Sequence, residues 1–553
     1  MSLLKPRVRA AGSNALLLDC GSLDDALTVF AALADARERG ELEVLELVPA
    51  AETVLVLGGE ARTPQTLTPK LQQITQRWVG TGAIELGTAE ITIPVRYNGE
   101  DLAEVAGLTG LSVAEVVARH TAAHYTVAFT GFAPGFAYLS GGDPALAVPR
   151  RATPRPRILS GAVGLAGPFS GVYPRESPGG WQIIGATAHR MWDTHRKQPA
   201  ALLAGGRVRF TAERESLTVA GADPRATSEP DCVAAIPSPT GNAVLRVIDA
   251  GLQSIIEDAG RRGVAGMGVG VSGVAVPRAY RLANSLVGNR AGAAALELAH
   301  GGFAVEAIST VVLAFTGASR TARVSGPFGQ REAPRAAAFR LSAGERLTLG
   351  PPTRGLRSVL ALRGGVSAPA ILGSRSRDTL AGLGPDPLAA GDEIRVSDAI
   401  ASAVAAPEAD ETRLPASGEL AQLRVVFGPR DDWFEAPTRL TEQEWEVTPR
   451  SDRVGVRLAG KPLTRNAEHL GRELPSEGVA LGSLQVPPDG QPVLFLADHP
   501  LTGGYPVVAV VHDKDLELAA QLAPGTRVRF VSVSPLDSNG GAAPQQADLE
   551  TRS

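Results

Sequence analysis

The stretch from Gly131 to Gly185 reads GFAPGFAYLSGGDPALAVPRRATPRPRILSGAVGLAGPFSGVYPRESPGGWQIIG. It combines aromatic residues, glycines, prolines and clustered arginines within one short span. Proline fixes φ and lacks a backbone N–H, whereas glycine opens positive φ, so this composition excludes a long helix and an ordinary central strand. The segment therefore predicts a shaped loop system that carries a site.

The rest of the chain predicts a mainly β protein. Its 553 residues exceed what one core holds, and roughly 150 residues per domain suggests three or four domains. With 62 glycines, 41 prolines and few aromatics, short alternating apolar runs favour many strands joined by tight turns. We expect several β-barrel domains after a small N-terminal α/β domain.

Charge and cysteine content restrict the partners and the compartment. The net charge of −4 argues against a nucleic-acid partner. Cys20 and Cys232 lie in different predicted domains, without the spacing of a metal site, so we expect a reducing cytoplasmic location and no metal. No apolar stretch approaches the ~18 to 20 residues of a membrane span, and no export signal is evident.

Local signals divide the chain. Ser22 is a predicted helix cap and Gly40 the predicted helix end; a second helix is expected through Leu71 and Trp78. Ser112 and Glu115 form a capping-box signature. The predicted organisation is an α/β domain over 1–85, a barrel over 86–218, a linker over 219–241, a barrel domain over 242–397, a linker over 398–419, a barrel domain over 420–534 and a disordered tail over 535–553.

A recurring ending supports related barrels. A leucine, a glycine turn and an alternating strand occur at 203–210, 388–396 and 522–530, with a fainter copy at 341–349. The alternative is chance recurrence of a turn and strand in a β protein.

The first candidate site is the proline-held loop with Arg150, Arg155 and Arg157. Guanidinium groups pair bidentately with carboxylate or phosphate, so the loop suits an anionic ligand, or it is simply a solvated loop in an arginine-rich protein. Tyr138 and Trp181 either line the same pocket or belong to the barrel core.

Further candidates are histidines and buried polar residues. His120 and His124 would share a face if their helix persists, as an acid/base or metal pair, or as packing residues. Arg261 precedes a glycine series that formally spells G-x-G-x-x-G, which we discount because no βαβ unit surrounds it. Asn289, and Glu297 within an apolar run, are either structural partners or site residues.

The predicted barrel domain over 420–534 repeats the combination of glycine, proline and aromatic residues found in the Gly131–Gly185 segment. Gln485 lies in one such segment. The turn Thr502, Gly503, Gly504 and Tyr505 can direct backbone N–H groups toward an anion. Asp498 is a candidate proton shuttle beside it; an ordinary hairpin corner is the alternative.

These motifs resemble a known pair of protein families. GFAPGFAYL, the PR…PR loop and SPGGWQIIG resemble the B subunit of 5-oxoprolinase, which is also described as allophanate hydrolase subunit 1. From about Leu245, IIEDAGRRG, RLANSLVGN, LALRGGV, SDRVGVRL and TGGYP resemble the C subunit of 5-oxoprolinase, a biotin-dependent carboxyltransferase-like family. The chain is similar to a fusion of the two.

The resemblance implies cyclophilin-like barrels and an ATP-dependent 5-oxoprolinase that hydrolyses pyroglutamate to glutamate with a separate A subunit of the LamB/YcsF type. ATP, with Mg, would bind this chain or the partner, and a higher-order assembly is expected. His120, Asp498 and Glu297 are the catalytic candidates. The alternatives are a urea-carboxylase-like carboxyltransferase that uses biotin carried by another chain, or a non-enzymatic inhibitor of a histidine kinase.

The chain departs from these families at several positions. Ser272-Gly-Val-Ala-Val276 stands where the family of the C subunit usually reads Ser-Gly-Ala-Met-Asp, so an acidic residue is replaced by an apolar one. Glu257 stands where glutamine is usual. If the missing aspartate is catalytic, activity is weakened or retuned; if it only ties down a turn, activity survives.

Overall fold

The computed structural model describes residues 6–59, 63–77, 90–213, 241–327, 329–408 and 413–534. Most of its regular structure is β. The α-helices of these residues are α1 (Leu23–Glu38), α2 (Pro64–Arg77), α3 (Leu102–Thr109), α4 (Val113–Ala122), α5 (Pro277–Leu286), α6 (Arg439–Glu442) and α7 (Leu516–Ala520). Among the described residues, no helix combines the length and apolar character needed to cross a bilayer.

The chain begins with a small α/β domain. Its sheet has the order β1-β2-β4-β3. These strands are β1 (Arg7–Ala10), β2 (Ala15–Asp19), β3 (Glu46–Pro49) and β4 (Thr53–Leu57). The Ser22 hydroxyl caps α1 by accepting from Asp25 N, and the chain turns at Gly40 with φ 72°, which confirms both signals. Helix α2 ends at Arg77, so the expected helical position of Trp78 lies outside the described residues.

A seven-stranded sheet follows, with the order β12-β9-β10-β7-β6-β13-β5. Its strands and the two-stranded sheet beside it comprise β5 (Ile91–Val95), β6 (His124–Thr130), β7 (Ala137–Ser140), β8 (Arg155–Ile158), β9 (Ala162–Ala166), β10 (Phe169–Val172), β11 (Ser177–Gly179), β12 (Gln182–Ala186) and β13 (Arg207–Ala212). Reciprocal hydrogen bonds between Arg96 and Ala186 join its two ends into a barrel. Both halves of the predicted capping box form at Ser112 and Glu115 of α4.

The expectation that the Gly131–Gly185 segment forms loops rather than central strands is wrong. Strands β7, β9 and β10 occupy the middle of the seven-stranded sheet, and β9 is buried throughout. The prolines fall in turns or in the separate β8–β11 sheet, where they interrupt no central ladder. Glycine is needed inside the sheet because a Cβ at Gly171 would lie 3.1 Å from Trp181.

The second half of the chain opens with a nine-stranded sheet. It contains β14 (Ala243–Ala250), β15 (Gln253–Glu257), β16 (Ala295–Ala299), β17 (Phe303–Ala307), β18 (Val311–Gly326), β19 (Gly329–Glu332), β20 (Ala338–Leu341), β21 (Arg346–Leu362) and β22 (Glu393–Arg395). Helix α5 packs against β18 and β21. We call residues 6–213 the N-half and residues 241–534 the C-half.

The last sheet closes on itself in the order β23-β30-β27-β28-β25-β24-β31. This barrel and the short β26–β29 pair comprise β23 (Leu420–Phe427), β24 (Glu444–Val447), β25 (Gly455–Ala459), β26 (Glu477–Gly478), β27 (Ser483–Gln485), β28 (Val493–Phe495), β29 (Thr502–Gly503), β30 (Val507–Val511) and β31 (Arg527–Ser532). The architecture is consistent with the expected mainly β, cyclophilin-like barrels.

The recurring endings occupy related places in two barrels. Strand β31 pairs in parallel with β23, the first strand of its barrel, and β13 pairs in parallel with β5 in the same way. Strand β22 instead pairs antiparallel with β14. The shared sequence pattern thus marks the closing strand of the two barrels.

The structure describes part of one predicted linker, but not residues 219–240 of the other linker or the predicted tail. Residues 219–240 and 535–553 lie outside the described residues. In the 398–419 segment, Ala401 N and Ala405 N donate to Gly288 O and Leu286 O at 2.9 and 3.0 Å. That part of the segment packs on the end of α5.

Candidate functional site

The two halves of the chain meet where the N-half motif contacts the C-half glycine series. Thr130 Oγ1 donates to Ala265 O at 3.1 Å, and Gly135 N donates to Met267 O at 2.9 Å. A Cβ at Gly131 would overlap the side chain of Thr502. Glycine therefore permits the close backbone approach that joins the GFAPGF motif to the C-half.

A second contact lies beside the first. Ala51 N donates to Ser476 O at 3.0 Å, and strand β26 pairs with β29 through Glu477 and Gly503. Glu477 is buried and pairs with Arg430, which also reaches Asp19 of the N-half at 2.7 Å. This ion-pair bridge fixes β26 and the turn that begins at Thr502. We call the region around these two contacts the junction.

Aromatic side chains fill the N-half side of the junction. Tyr138 and Trp181 are both buried, and their rings lie 5.5 Å apart. They pack in one cluster with Phe129, Phe132, Phe136, Phe169 and Tyr173. Burial raises the pKa of the Tyr138 phenol, and the charge of Arg150 and a hydrogen bond with Ser476 oppose that shift. Tyr138 thus belongs to the barrel core and also contacts the C-half.

Three arginines of the predicted anion loop already have carboxylate partners. Arg151 and Arg155 both pair with the buried Asp101, at 2.7 and 2.6 Å, and Arg157 pairs with Glu176 at 2.8 Å. Arg150 has a weaker partner, since its Nε lies 4.0 Å from Glu473 of the C-half and its side chain is 39% exposed. Arg150 therefore has the longest ion-pair distance of the four arginines, and its partner belongs to the C-half.

The predicted C-half turn lies at the same place. Gln485 Nε2 donates to Tyr505 O at 3.0 Å and so holds the turn from within. Gly503 and Gly504 are half-buried, and Tyr505 is 45% exposed. The structure therefore brings Tyr138, Trp181 and Arg150 together with Gln485 and the Thr502–Tyr505 turn; that these groups bind a ligand stays a prediction.

A buried ionic cluster supports the C-half side. Arg453 is fully buried and donates to Asp498 at 3.0 and 3.1 Å, to Gly273 O at 2.6 Å and to Glu297. Glu297 also accepts from Ala275 N at 2.7 Å, and Arg357 Nε lies 3.5 Å from it. Two of the three predicted catalytic residues, Asp498 and Glu297, thus share one arginine. We call this group the Arg453 cluster.

Asp498 accepts hydrogen bonds from two loops that are distant from it in sequence. It accepts from Ser272 Oγ at 2.6 Å and from Thr379 Oγ1 and N at 2.7 and 2.9 Å. Burial raises its pKa, but Arg453 outweighs that effect and holds the Asp498 pKa below its usual value. Asp498 is therefore an ionised anchor four residues before Thr502.

Other carboxyls of the cluster hold protons more readily. Glu257 is buried 3.3 Å from Arg453, and burial raises its pKa well above the usual value although the charge of Arg453 opposes the shift. Burial and the charge of Asp498 raise the pKa of Asp378 to about 6. Arg261 donates to Ser376 O, and burial lowers its pKa. Carboxyls with lowered and with raised pKa values thus lie side by side around Arg453.

The remaining predicted residues lie elsewhere. His120 is buried in the N-half barrel between Tyr97 and Ser170, at 2.7 and 2.9 Å, and burial lowers its pKa to about 3. Because α4 ends at Ala122, His124 begins a strand, and the two histidines share no helix face. Asn289 bonds Leu362 O and Gly364 N in the C-half. His120 and Asn289 therefore serve as packing and turn-holding residues.

The position that departs from the family pattern is the N-terminus of α5. Val276 is buried and provides no side-chain cap. Glu517 from the last barrel accepts from Arg278 N at 2.8 Å and from Ala279 N at 3.1 Å. A carboxylate distant in sequence therefore supplies the cap that an aspartate at this turn would supply.

Sequence reasoning missed Arg453, the centre of the cluster. Arg453 lies in a polar turn of ordinary composition. In a chain with 54 lysines and arginines, no single arginine stands out as a site residue. The structure agrees that the glycine series is not a dinucleotide motif, because Gly268 ends a 3-10 turn and Gly273 lies in a loop.

Comparison with known proteins agrees with the division into halves. Residues 6–202 match the carboxyltransferase domain, subdomains C and D, and residues 267–532 match the carboxyltransferase domain, subdomains A and B. The chain is 33% identical over 299 residues to the C subunit of 5-oxoprolinase from Escherichia coli K12, covering 53% of this chain and 92% of that protein. It is 39% identical over 178 residues to the B subunit of 5-oxoprolinase from Escherichia coli O157:H7, covering 32% of this chain and 80% of that protein.

Other matches extend the comparison. Urea amidolyase of Saccharomyces cerevisiae is 31% identical over 300 residues, which is 51% of this chain and 16% of that enzyme. The crystal structure of TTHA0988 superposes with a TM-score of 0.79 at 35% identity and covers 95% of this chain and all of that one. A protein with both halves in one chain therefore shares the whole architecture.

Proposed function

Because this chain belongs to the carboxyltransferase-domain family that includes the B and C subunits of 5-oxoprolinase, we propose that it is the combined B and C component of an ATP-dependent 5-oxoprolinase. It would open 5-oxo-L-proline to L-glutamate together with a separate A subunit. The observation that carries the proposal is the junction, where counterparts of the two subunits interlock through Gly131, Gly135, Met267 and Thr502.

The chemistry of lactam opening explains what the junction would do. A lactam is a poor electrophile, and transfer of a phosphoryl group from ATP, as substrate with Mg²⁺, to the lactam oxygen would supply a leaving group. The protein must then hold a carboxylate and phosphate oxygens beside fixed cations and N–H donors. Arg150 offers a weakly paired guanidinium beside Glu473, and Gly504, which lies close to the neighbouring Leu474, is the candidate amide donor, because Gly503 is paired with Glu477 in the β26–β29 ladder.

The Arg453 cluster would act as the support of this site. Its ion pairs anchor Asp498, Ser272 and Thr379, and thereby the start of the Thr502 turn. In this scheme Asp498 and Glu297 are positioning residues, since both are fully engaged with protein partners. Glu257, whose pKa burial raises, is the group beside Arg453 that would keep or release a proton.

Reconstitution tests the proposal. The purified chain is mixed with the cognate A subunit, ATP, Mg²⁺ and 5-oxoproline, and glutamate and ADP are measured against mixtures that lack one component. Glutamate and ADP formed together only in the full mixture are the expected result. No glutamate, with an A subunit that is active beside another B–C pair, would contradict it.

Carboxyl transfer is the second candidate, because half of this chain matches urea amidolyase. The same anion-binding groups would then face a carboxylated biotin on another chain. Transfer of labelled carboxyl from carboxybiotin to urea, with the A subunit left out, would favour this function. ADP formation dependent on 5-oxoproline would favour the first.

A further inference from the structure

A cavity of about 210 Å³ lies between the two C-half sheets, away from the junction. Gln253, His300 and Arg357 of the nine-stranded sheet line one wall, and Ser451 and Asp452 of the last barrel line the other. We call it the barrel cavity. Its polar lining offers the nitrogen donors of Gln253, His300 and Arg357 to an anion, beside one hydroxyl and one carboxylate.

Arg357 is the buried cation of this cavity. Its side chain is 3% exposed, Nη1 donates to Ala520 O, and Nη2 makes a long contact of 3.4 Å with Asp452 O, while Nε has no hydrogen-bond partner among the described residues. Its carboxylate neighbour, Glu297, is shared with Arg453. A guanidinium carries five N–H donors, so these partners leave Arg357, which lines the cavity, with donors for a further acceptor.

A second arginine adds to the positive potential. Arg320 is buried, donates only to the carbonyl oxygens of Gly350 and Leu356, and pairs with no carboxylate in the described part of the chain. Burial lowers its pKa to about 10, so it stays charged at neutral pH. Asp452 is the carboxylate among the lining residues; its Oδ1 accepts from Val454 N and Gly455 N, and its charge partly offsets that of Arg357.

His300 completes the wall. It has a left-handed backbone with φ 63°, a conformation that costs a non-glycine residue free energy and often marks a functional position. Among the described residues, no hydrogen bond engages the side chains of His300 or Gln253. Burial, Arg357 and Arg320 lower the pKa of His300, and an anion bound beside the imidazole would favour its protonated form.

We propose that the barrel cavity binds a small oxyanion, a phosphate or a carboxylate, through Arg357, His300 and Gln253. Because Arg357 also contacts Glu297 of the Arg453 cluster, the bound anion would act on the cluster through Arg357. The site is additional to the proposed 5-oxoprolinase function, and its test needs neither the A subunit nor ATP.

Titration calorimetry on the full chain tests the proposal, with inorganic phosphate and L-glutamate as separate probes at constant ionic strength. We expect one saturable site for at least one probe, with proton uptake and tighter binding at pH 6 than at pH 8. Phosphate binding alone indicates a phosphate site and glutamate binding alone a carboxylate site; mutual competition indicates one site for both. Absence of saturable binding of either probe overturns the proposal.

The variants separate binding from folding. His300→Asn keeps a residue that tolerates the left-handed backbone but removes the imidazole, so binding should weaken roughly tenfold, lose its pH dependence and leave the melting temperature equal or higher. Gln253→Ala should weaken binding less. Leu372→Asn, at another left-handed position with φ 53°, is the matched control and should bind like wild type. Unchanged binding in both His300→Asn and Gln253→Ala would refute the assignment.

Discussion

Replacing Arg453 by methionine should destabilise the C-half by about 3 to 5 kcal/mol, because it leaves buried carboxylates without their cation. Arg453 has no exposed surface and makes two hydrogen bonds to Asp498, one to Gly273 O and one to Glu297. At roughly 2 to 4 °C per kcal/mol for a domain of this size, the melting temperature should fall by about 10 °C.

The pH dependence identifies the cause. In the wild type, Arg453 holds the pKa of Asp498 below its usual 3.8, so this carboxylate contributes stability above that pH and loses it as the pH falls through the folded-state pKa. In Arg453→Met, only the hydrogen bonds from Ser272 and Thr379 still oppose burial, so we expect the folded-state pKa of Asp498 to lie above the unfolded value. The variant therefore becomes less stable as the pH rises, and its deficit relative to wild type should grow from pH 5 to pH 8.

Thermal unfolding of the full chain at pH 5, 6.5 and 8 measures both effects. Arg529→Met is the matched control, because Arg529 is 46% exposed in its pair with Glu444, and such pairs shift the melting temperature by about 2 °C or less. A melting temperature of Arg453→Met within that range, or a deficit independent of pH, would refute the reasoning.

Glu257→Gln should preserve stability at low pH, because a neutral amide replaces a protonated carboxyl of the same shape. From pH 5 to pH 8 the variant should become more stable than wild type, because the raised pKa of Glu257 gives wild type a stability that it loses as the pH rises. Melting curves of both proteins at each pH measure the difference. Gly131→Ala should lower glutamate formation more than about tenfold in the reconstituted assay, because its Cβ overlaps Thr502, and full activity would contradict the role of the junction. Arg150→Ala should raise the KM for 5-oxoproline roughly tenfold while Arg157→Ala leaves it unchanged, and equal effects would contradict the placement of the anion.

Local sequence signals predict local structure well. The Ser112–Glu115 capping box and the Ser22 cap each rest on hydrogen bonds across three residues, so the pattern contains the whole interaction. The recurring turn-and-strand pattern likewise marks the closing strands β13 and β31. The strands of the Gly131–Gly185 segment escape prediction because β9 is buried on both faces, which removes the alternation that marks a strand.

The site is predictable only in part. The turn at Thr502 and the arginine loop stand out as compositional features, yet their meeting depends on contacts across more than 300 residues. Arg453 joins Asp498 and Glu297, which lie 45 and 156 residues away, and no short pattern records such a pairing. Arg150 stays weakly paired while Arg151 and Arg155 do not, because Asp101, which lies in a different element, pairs with those two.

The capping of α5 offers a test of how the chain tolerates Val276. Glu517→Ala should cost about 1 kcal/mol, because Arg278 N and Ala279 N lose their acceptor. Val276→Asp alone should also destabilise, since a second buried carboxylate would compete for the same N–H groups beside Glu517. The double variant should be more stable than the two costs predict, by about 1 to 3 kcal/mol, because the new aspartate can then cap the helix. Unfolding of wild type, the two single variants and the double variant measures this coupling energy. Strictly additive costs would show that Glu517 does not replace an N-terminal cap. The loss of the acidic residue at position 276 would then need an explanation in catalysis rather than in folding.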